Sequence, residues 1–164
     1  MSSKIFVGIM AALVVGILGV ALTFKSGLPE KQPHTNNRGA VHEFVTYKSP
    51  TCGCCTNWVG HMRAKGYDVE VIDTDEVEAI KEQYGVPESL YACHTTIVNG
   101  GEYFIEGHIP EESIIKMLEE MPDIKGIGMP GMPEGSPGMP GSPAMPFEIM
   151  QVDDSEKLDL FERI

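Results

Sequence analysis

The sequence predicts a mixed α/β (α+β) domain that follows a membrane-spanning helix and precedes an extension rich in Gly, Pro and Met. Three observations predict this class. Strand-like and helix-like segments alternate between residues 41 and 122. A long uncharged run lies near the N-terminus, and the composition changes sharply after residue 122. We therefore divide the chain into an anchor (1–25), a linker (26–40), a domain (41–122) and an extension (123–164).

The uncharged run extends from Ile5 to Phe24 and is bracketed by Lys4 and Lys25. In a helix, a run of this length rises about 30 Å, the thickness of a bilayer core. No small-x-small cleavage site closes the run. We therefore predict an uncleaved single-pass anchor in the inner (cytoplasmic) membrane, followed by a flexible polar tether. Basic residues lie on both sides of the run, so they do not fix its orientation.

The first half of the domain predicts a strand, a helix, a strand and a second helix. Residues 41–47 and 67–73 have the composition and alternation of half-buried strands. A helix over 54–64 begins after the turn Ser-Pro-Thr-Cys-Gly, and a charged helix over 75–84 follows the second strand. The apolar face of this second helix is expected to carry Val77, Ile80 and Tyr84.

The second half of the domain predicts a hairpin and a covering helix. Residues 94–98 and 102–105 flank Asn-Gly-Gly, a strong hairpin turn. Pro110 starts a helix over 111–121 that has acidic residues in its first turn. Its inward residues are expected to be Ile114, Ile115 and Leu118. Together with the first half, this order is typical of a thioredoxin-like arrangement, which indicates a fold and not a function.

The extension predicts little regular structure at first. Residues 122–146 consist almost wholly of Gly, Pro, Met and Ser, which favours an extended, polyproline-rich segment without a core of its own. Residues 147–152 and 157–164 are two strand candidates around Asp-Asp-Ser-Glu. They either pair with each other or add to the sheet, and the sequence does not decide between these arrangements.

The charge balance excludes one class of partner. Twelve Lys and Arg face twenty-four Asp and Glu, which gives a net charge of −12. So acidic a surface repels phosphate backbones, and we expect no nucleic-acid partner.

The cysteines carry the main chemical signal. Cys52, Cys54 and Cys55 lie where the first strand gives way to the first helix. A helix N-terminus favours the thiolate, the form that attacks disulfides and ligates metals. Cys52 and Cys55 have the C-x-x-C spacing of a redox pair, and Cys54 lies between them as a competing thiol or an extra ligand.

A fourth cysteine stands directly before the hairpin. In a thioredoxin-like fold, the loop that enters the first hairpin strand lies against the start of the C-x-x-C helix. Cys93 would therefore join the triplet, and His94 would bring an imidazole. His108, at the end of the hairpin, is the second candidate among the histidines. A lone histidine is nevertheless more often a hydrogen-bonded core or surface residue than a ligand.

The donor set favours copper(I), with more than one ion. Soft thiolates select copper(I), zinc or iron–sulfur clusters, but a triplet plus a single cysteine is poor spacing for the last two. Thioethers suit copper(I) as well, and they also serve as apolar filler, so both roles are open for Met129, Met132 and Met139. Thiol–disulfide exchange between Cys52 and Cys55 and purely structural disulfides are the alternatives.

Four motifs, YKSPTCGCCTNWVGHM, ACHTTIVNG, EGHIP and GMPGMPEGSPGMP, together resemble the CopG-type copper-resistance proteins, long catalogued as a domain of unknown function. The resemblance implies a thioredoxin-like periplasmic protein with a role in copper tolerance, which includes changing the oxidation state of copper. It implies a cluster whose ligands are Cys52, Cys54, Cys55 and Cys93. The chain departs from the family pattern at Tyr91-Ala92, where serine often precedes the cysteine directly.

Three functions follow as hypotheses. The first is an extracytoplasmic copper(I)-binding protein of copper homeostasis and resistance, anchored in the membrane. The alternative is a thioredoxin-like thiol–disulfide oxidoreductase that uses Cys52 as nucleophile and Cys55 as resolving thiol. The third is an adaptor that delivers copper to a membrane transporter, which the anchor and the acidic surface favour.

Overall fold

A computed structural model describes residues 41–143 and 146–164, which form a mixed α/β structure. Three α-helices accompany a single seven-stranded sheet in these residues. The strands are β1 (Phe44–Lys48), β2 (Val69–Asp73), β3 (His94–Val98), β4 (Tyr103–Glu106), β5 (Gly126–Gly128), β6 (Glu148–Val152) and β7 (Leu158–Arg163). Their order in the sheet is β2-β1-β3-β4-β5-β6-β7. The mixed α/β class predicted from the sequence is confirmed.

The first unit is a strand–helix–strand crossover. β1 (Phe44–Lys48) and β2 (Val69–Asp73) pair in parallel, as the intervening helix α1 (Gly53–Ala64) requires. The Cys52 Sγ accepts a hydrogen bond of 3.3 Å from the backbone N–H of Cys55 and so caps α1. The triplet is thereby fixed at the carboxyl end of β1.

The second unit is the hairpin with its flanking helices. After α2 (Val77–Gln83) and a 3-10 turn at Glu88–Leu90, strand β3 (His94–Val98) runs antiparallel to β1 and pairs with β4 (Tyr103–Glu106). α3 (Glu111–Glu120) follows and ends where Met121 adopts a left-handed conformation.

The extension contributes three strands to the same sheet. β5 (Gly126–Gly128) pairs in parallel with β4, and it is followed by β6 (Glu148–Val152) and β7 (Leu158–Arg163), which are antiparallel. The two terminal strands therefore both pair with each other and extend the sheet. β5 lies inside the segment expected to lack regular structure. Gly126 permits its pairing, since a Cβ there would lie 2.2 Å from the Phe104 carbonyl oxygen.

Both faces of the central strands β3 and β4 are buried. The larger core contains Phe44, Trp58, Ile105 and Ile114, and the smaller core on the other face contains Ile97 and Phe104, the alternate residues of the hairpin strands. Two inward-facing predictions are corrected. In α3, Met117 is fully buried, whereas Ile115 is 37% exposed.

The buried residue of α2 is a lysine. Lys81 is only 2% exposed, whereas Val77, Ile80 and Tyr84 are partly exposed. Lys81 is buried because its ammonium pairs with the buried carboxylate of Glu106.

The predicted anchor (5–24) and linker (26–40) lie outside the described residues. Within residues 41–143 and 146–164, no helix combines the length and apolarity needed to cross a bilayer.

Candidate metal centre

Sheet pairing brings the two cysteine segments together. β1 and β3 are antiparallel neighbours, and Lys48 at the end of β1 pairs with His94 at the start of β3. The triplet follows Lys48 in the chain and Cys93 precedes His94, so both segments leave the sheet at the same edge. A contact between sequence positions about forty residues apart follows from this register.

The four sulfur atoms form one group, within 4.8 Å of one another. Cys52 and Cys55 are joined in a disulfide, with 5.4 Å between their Cα atoms, and Cys54 and Cys93 are free thiols. The Cys54 sulfur lies 3.5 Å from the Cys52 sulfur and 3.9 Å from the Cys93 sulfur. Cys54 thus lies between Cys52 and Cys93, and the Cys55 sulfur lies 3.6 Å from the Cys93 carbonyl oxygen.

Two imidazoles adjoin the Cys93 sulfur. It lies 3.0 Å from Nε2 of His108 and 3.5 Å from Nδ1 of His94, and the three side chains form a second group with metal-ligand spacing. The two rings are fully buried, with 5.0 Å between their centroids. Nε2 of His94 is buried and has no hydrogen-bond partner among the described residues. Such an atom is unusual in a folded protein, where nearly all buried polar atoms are paired.

Part of the extension, residues 133–143, covers the site, and we call it the strap. The carbonyl oxygen of Pro137 accepts a 2.7 Å hydrogen bond from Nδ1 of His108, which leaves the lone pair of Nε2 directed at Cys93. Asn57 of α1 donates to the Gly138 carbonyl at 3.3 Å. Gly138 lies so close to α1 that a Cβ on it would be 2.5 Å from the backbone nitrogen of Trp58. The strap therefore sets the tautomer of His108.

The predicted methionines fall into different environments. Met129 is 2% exposed and packs in the larger core, which is the filler role considered above. Met132 is half exposed, and Met139 lies half-buried in the strap beside Gly138. A ligand role for these thioethers stays a prediction.

Comparison of the sequence and the structure with those of known proteins shows to which family the chain belongs. A profile described as "Protein of unknown function, DUF411" matches residues 90–139. Among solved structures, Form 1 of the copper resistance protein copG is 33% identical, with a TM-score of 0.67, and the match covers 74% of this chain and 96% of that one. Form 2 is also 33% identical, with a TM-score of 0.68 and coverage of 75% and 98%. No curated protein gives a significant match.

The chain belongs to the CopG family of copper resistance proteins. The family resemblance seen in the four motifs is thereby confirmed. The matched profile begins just before Cys93 and ends in the strap. It therefore contains the second cysteine segment, both imidazoles and residues 133–139 of the strap.

Burial controls the protonation of this CopG-family site. Burial, with the neighbouring Cys54 as a further cause, raises the pKa of the Cys93 thiol to about 12. Burial also lowers the pKa of His94 well below its usual value and lowers that of His108, although the Pro137 carbonyl partly opposes the latter shift. At neutral pH the site without metal therefore holds a thiol and two neutral imidazoles, and binding a metal through Cys93 releases a proton.

Two buried charges near the CopG-family site were missed by the sequence analysis. Lys81 and Glu106, 2% and 0% exposed at the side chain, form an ion pair of 2.5 Å. Neither residue carries a local signal, because a lysine in a charged helix and a glutamate at a strand end are ordinary surface residues in sequence. The only cue is that Glu106 immediately precedes Gly107-His108.

The metal-free protein is expected to lose stability in acid through His94. Its folded-state pKa is depressed, mainly by burial and also by His108, Lys81 and Lys48, so below pH about 6.5 the unfolded chain takes up a proton that the folded chain refuses. Stability falls as the pH drops through this window, by up to about 1.4 kcal/mol per pH unit. Urea unfolding at pH 8 and pH 5 measures the loss. It should shrink in His94→Gln and persist in His61→Gln, and equal losses in both variants would contradict the prediction.

Proposed function

We propose that this protein binds copper(I) as its cargo, through the sulfurs of Cys52, Cys54, Cys55 and Cys93. The observation that carries the proposal is the convergence of four sulfur atoms from two segments within 4.8 Å. Soft thiolates this close together can each bridge metal ions, which favours a cluster of more than one copper ion. The confirmed kinship with copper resistance proteins supports the choice of metal.

The buried imidazoles fit the same cargo. Nδ1 of His94 lies 3.5 Å from the Cys93 sulfur, and Nε2 of His108 lies 3.0 Å from it. A neutral imidazole is a good copper ligand, and the strap holds His108 in the tautomer that exposes Nε2. We propose both histidines as supporting ligands, with Met132 and Met139 as additional thioether candidates.

The disulfide makes loading dependent on reduction. With Cys52 and Cys55 joined, only Cys54 and Cys93 offer thiols. Breaking the bond takes two electrons and two protons from an external dithiol, whose own sulfurs become a disulfide. The two released thiols then complete the four-sulfur set. As a further step we propose that bound copper cycles its oxidation state: copper(I) becomes copper(II) by giving one electron per ion to an external one-electron acceptor, and it is restored by an external one-electron donor.

The location and the partners are part of the proposal. The uncharged run at 5–24 would hold the domain at the inner membrane, with the cysteines outside the cytoplasm. An oxidising compartment is consistent with the Cys52–Cys55 disulfide. A copper transporter in the same membrane is the partner that such an anchored domain would serve in copper tolerance.

The test is the copper content of the full chain in two redox states. After anaerobic reduction, elemental analysis should find several copper(I) ions per chain that resist a competing copper(I) chelator. Protein with its disulfide intact should retain fewer ions. No more than trace copper on the reduced protein would overturn the proposal.

A second candidate is thiol–disulfide oxidoreduction, and the disulfide itself favours it. The Cys52–Cys55 pair occupies the N-terminus of α1, where the helix dipole favours thiolates. Reduction of insulin by copper-free protein, undiminished in Cys93→Ser, would support this function. Insulin that stays oxidised would remove it and leave copper binding intact.

A further inference from the structure

The buried carboxylate of Glu106 collects three hydrogen bonds. Oε1 accepts from Nζ of Lys81 at 2.5 Å and from the backbone N–H of Ala92 at 2.6 Å, while Oε2 accepts from the Thr95 hydroxyl at 2.5 Å. Nζ of Lys81 also donates to Thr95 Oγ1 at 2.8 Å, so the three side chains form a closed ring. Each of the three is 2% exposed or less.

The donors lie on both sides of the second cysteine segment. Ala92 precedes Cys93 and His94, and Thr95 follows them. The Glu106 carboxylate therefore fixes the backbone directly before the Cys93–His94 segment and the side chain directly after it. The Gly107 N–H, next to Glu106 in the chain, donates to the His94 carbonyl at 3.0 Å. Hydrogen bonds therefore hold the Cys93–His94 segment before, at and after His94.

Stability alone does not explain this arrangement. A buried ion pair loses the hydration of two charges, and well-packed apolar residues of similar volume are often as stable or more so. Apolar side chains would not, however, fix the Ala92 N–H and the Thr95 hydroxyl. The desolvation cost of the ion pair is explained if the pair serves to fix the orientation of the Cys93–His94 segment.

We infer that Glu106 and Lys81 are positioning residues that clamp the Cys93–His94 segment against the cysteine triplet. Glu106 makes the contacts, and Lys81 supplies its countercharge and a third side of the ring. The clamp holds the Cys93 sulfur 3.9 Å from Cys54 and 3.0 Å from His108. Its consequence for copper affinity rests on the proposed function, whereas the clamp itself does not.

The test measures the accessibility of one thiol without copper. In a Cys54→Ser background with the Cys52–Cys55 disulfide intact, Cys93 is the remaining thiol, and its alkylation by iodoacetamide is followed by mass spectrometry. Glu106→Gln preserves size but removes the countercharge of Lys81, and it puts an amide N–H₂ where Oε2 accepts from the Thr95 hydroxyl. We expect Cys93 to react about tenfold faster, because its segment opens more often. The matched control is Glu111→Gln, which removes a surface partner of Lys65 and should leave the rate unchanged.

Two further variants keep the test decisive if Glu106→Gln folds poorly. Thr95→Val keeps the ion pair and removes one tie, and it should give a smaller acceleration. Lys81→Arg keeps the charge and several donors, and it should leave the rate close to that of the background. Unchanged alkylation in both Glu106→Gln and Thr95→Val would overturn the clamp.

Copper affinity then separates this inference from the proposed function. In otherwise wild-type reduced protein, Glu106→Gln should weaken copper(I) retention about 10- to 100-fold, the range seen when residues behind metal ligands are replaced. If wild-type protein binds no copper, the proposed function fails while the alkylation result still decides the clamp. If copper binds and Glu106→Gln changes neither readout, the clamp alone fails.

Discussion

Replacing Cys93 with serine is expected to cut the copper(I) held by the reduced protein from several ions per chain to about one or none. Cys93 is the one sulfur supplied by the second segment, and it lies between Cys54 and His108. A serine hydroxyl is a hard, poorly nucleophilic donor that copper(I) disfavours. Without this sulfur, no thiolate lies between the cysteine triplet and the two imidazoles to bridge copper ions. We expect the affinity of any remaining ion to fall by more than about 100-fold, since even residues behind a ligand contribute 10–100-fold.

Anaerobic copper(I) titration against a competing chelator measures this effect. Ser49→Ala is the control, because it removes a hydroxyl beside the triplet, bonded to Thr51 at 3.1 Å, and leaves every sulfur in place. Unchanged circular dichroism would show that Cys93→Ser still folds. A Cys93→Ser protein that binds as much copper as the control would show that the triplet alone forms the site.

Much of the fold is readable because its signals are local. Alternation over 67–73 and the Asn-Gly-Gly turn each specify an element within a few residues, and β2 and the β3–β4 hairpin lie there. The meeting of Cys93 with the triplet follows from topology, because β3 pairs antiparallel with β1 and the start of β3 therefore lies beside the end of β1.

The missed features depend on contacts between distant segments. Gly126–Gly128 has no intrinsic preference for a strand, and it pairs only because β4 lies beside it. Likewise, the sequence of the strap predicts only an irregular Gly-Pro segment. Its position depends on the contact of Gly138 with the Trp58 backbone and on the hydrogen bond of the Pro137 carbonyl with His108. These positions are specified by shape and by single carbonyl groups, and neither leaves a periodic pattern in the sequence.

Replacing Lys81 with methionine is expected to destabilise the protein by about 3–5 kcal/mol, the usual cost of removing one partner of a buried ion pair. Glu106 would remain fully buried with only Ala92 and Thr95 as partners. Burial already raises the pKa of Glu106, and Lys81 opposes that shift, so its loss raises the pKa further. Chemical denaturation of the copper-free protein at pH 7 measures the loss.

The pH dependence and a double variant identify the cause. An acid whose pKa is raised in the folded state loses stability as the pH rises above its unfolded value, about 4.3 for glutamate. The deficit of Lys81→Met should therefore shrink as the pH falls toward that value. Adding Glu106→Leu removes the stranded charge and should recover much of the stability at pH 7, although it also removes the clamp. Lys65→Met, which removes a half-exposed ammonium beside Glu111, should change stability little. If Lys81→Met cost no more than Lys65→Met, the ion pair would not be a buried one in solution. Recovery of stability without recovery of copper retention in the double variant would separate the two roles, because apolar packing replaces the charges but not the hydrogen bonds that hold Cys93.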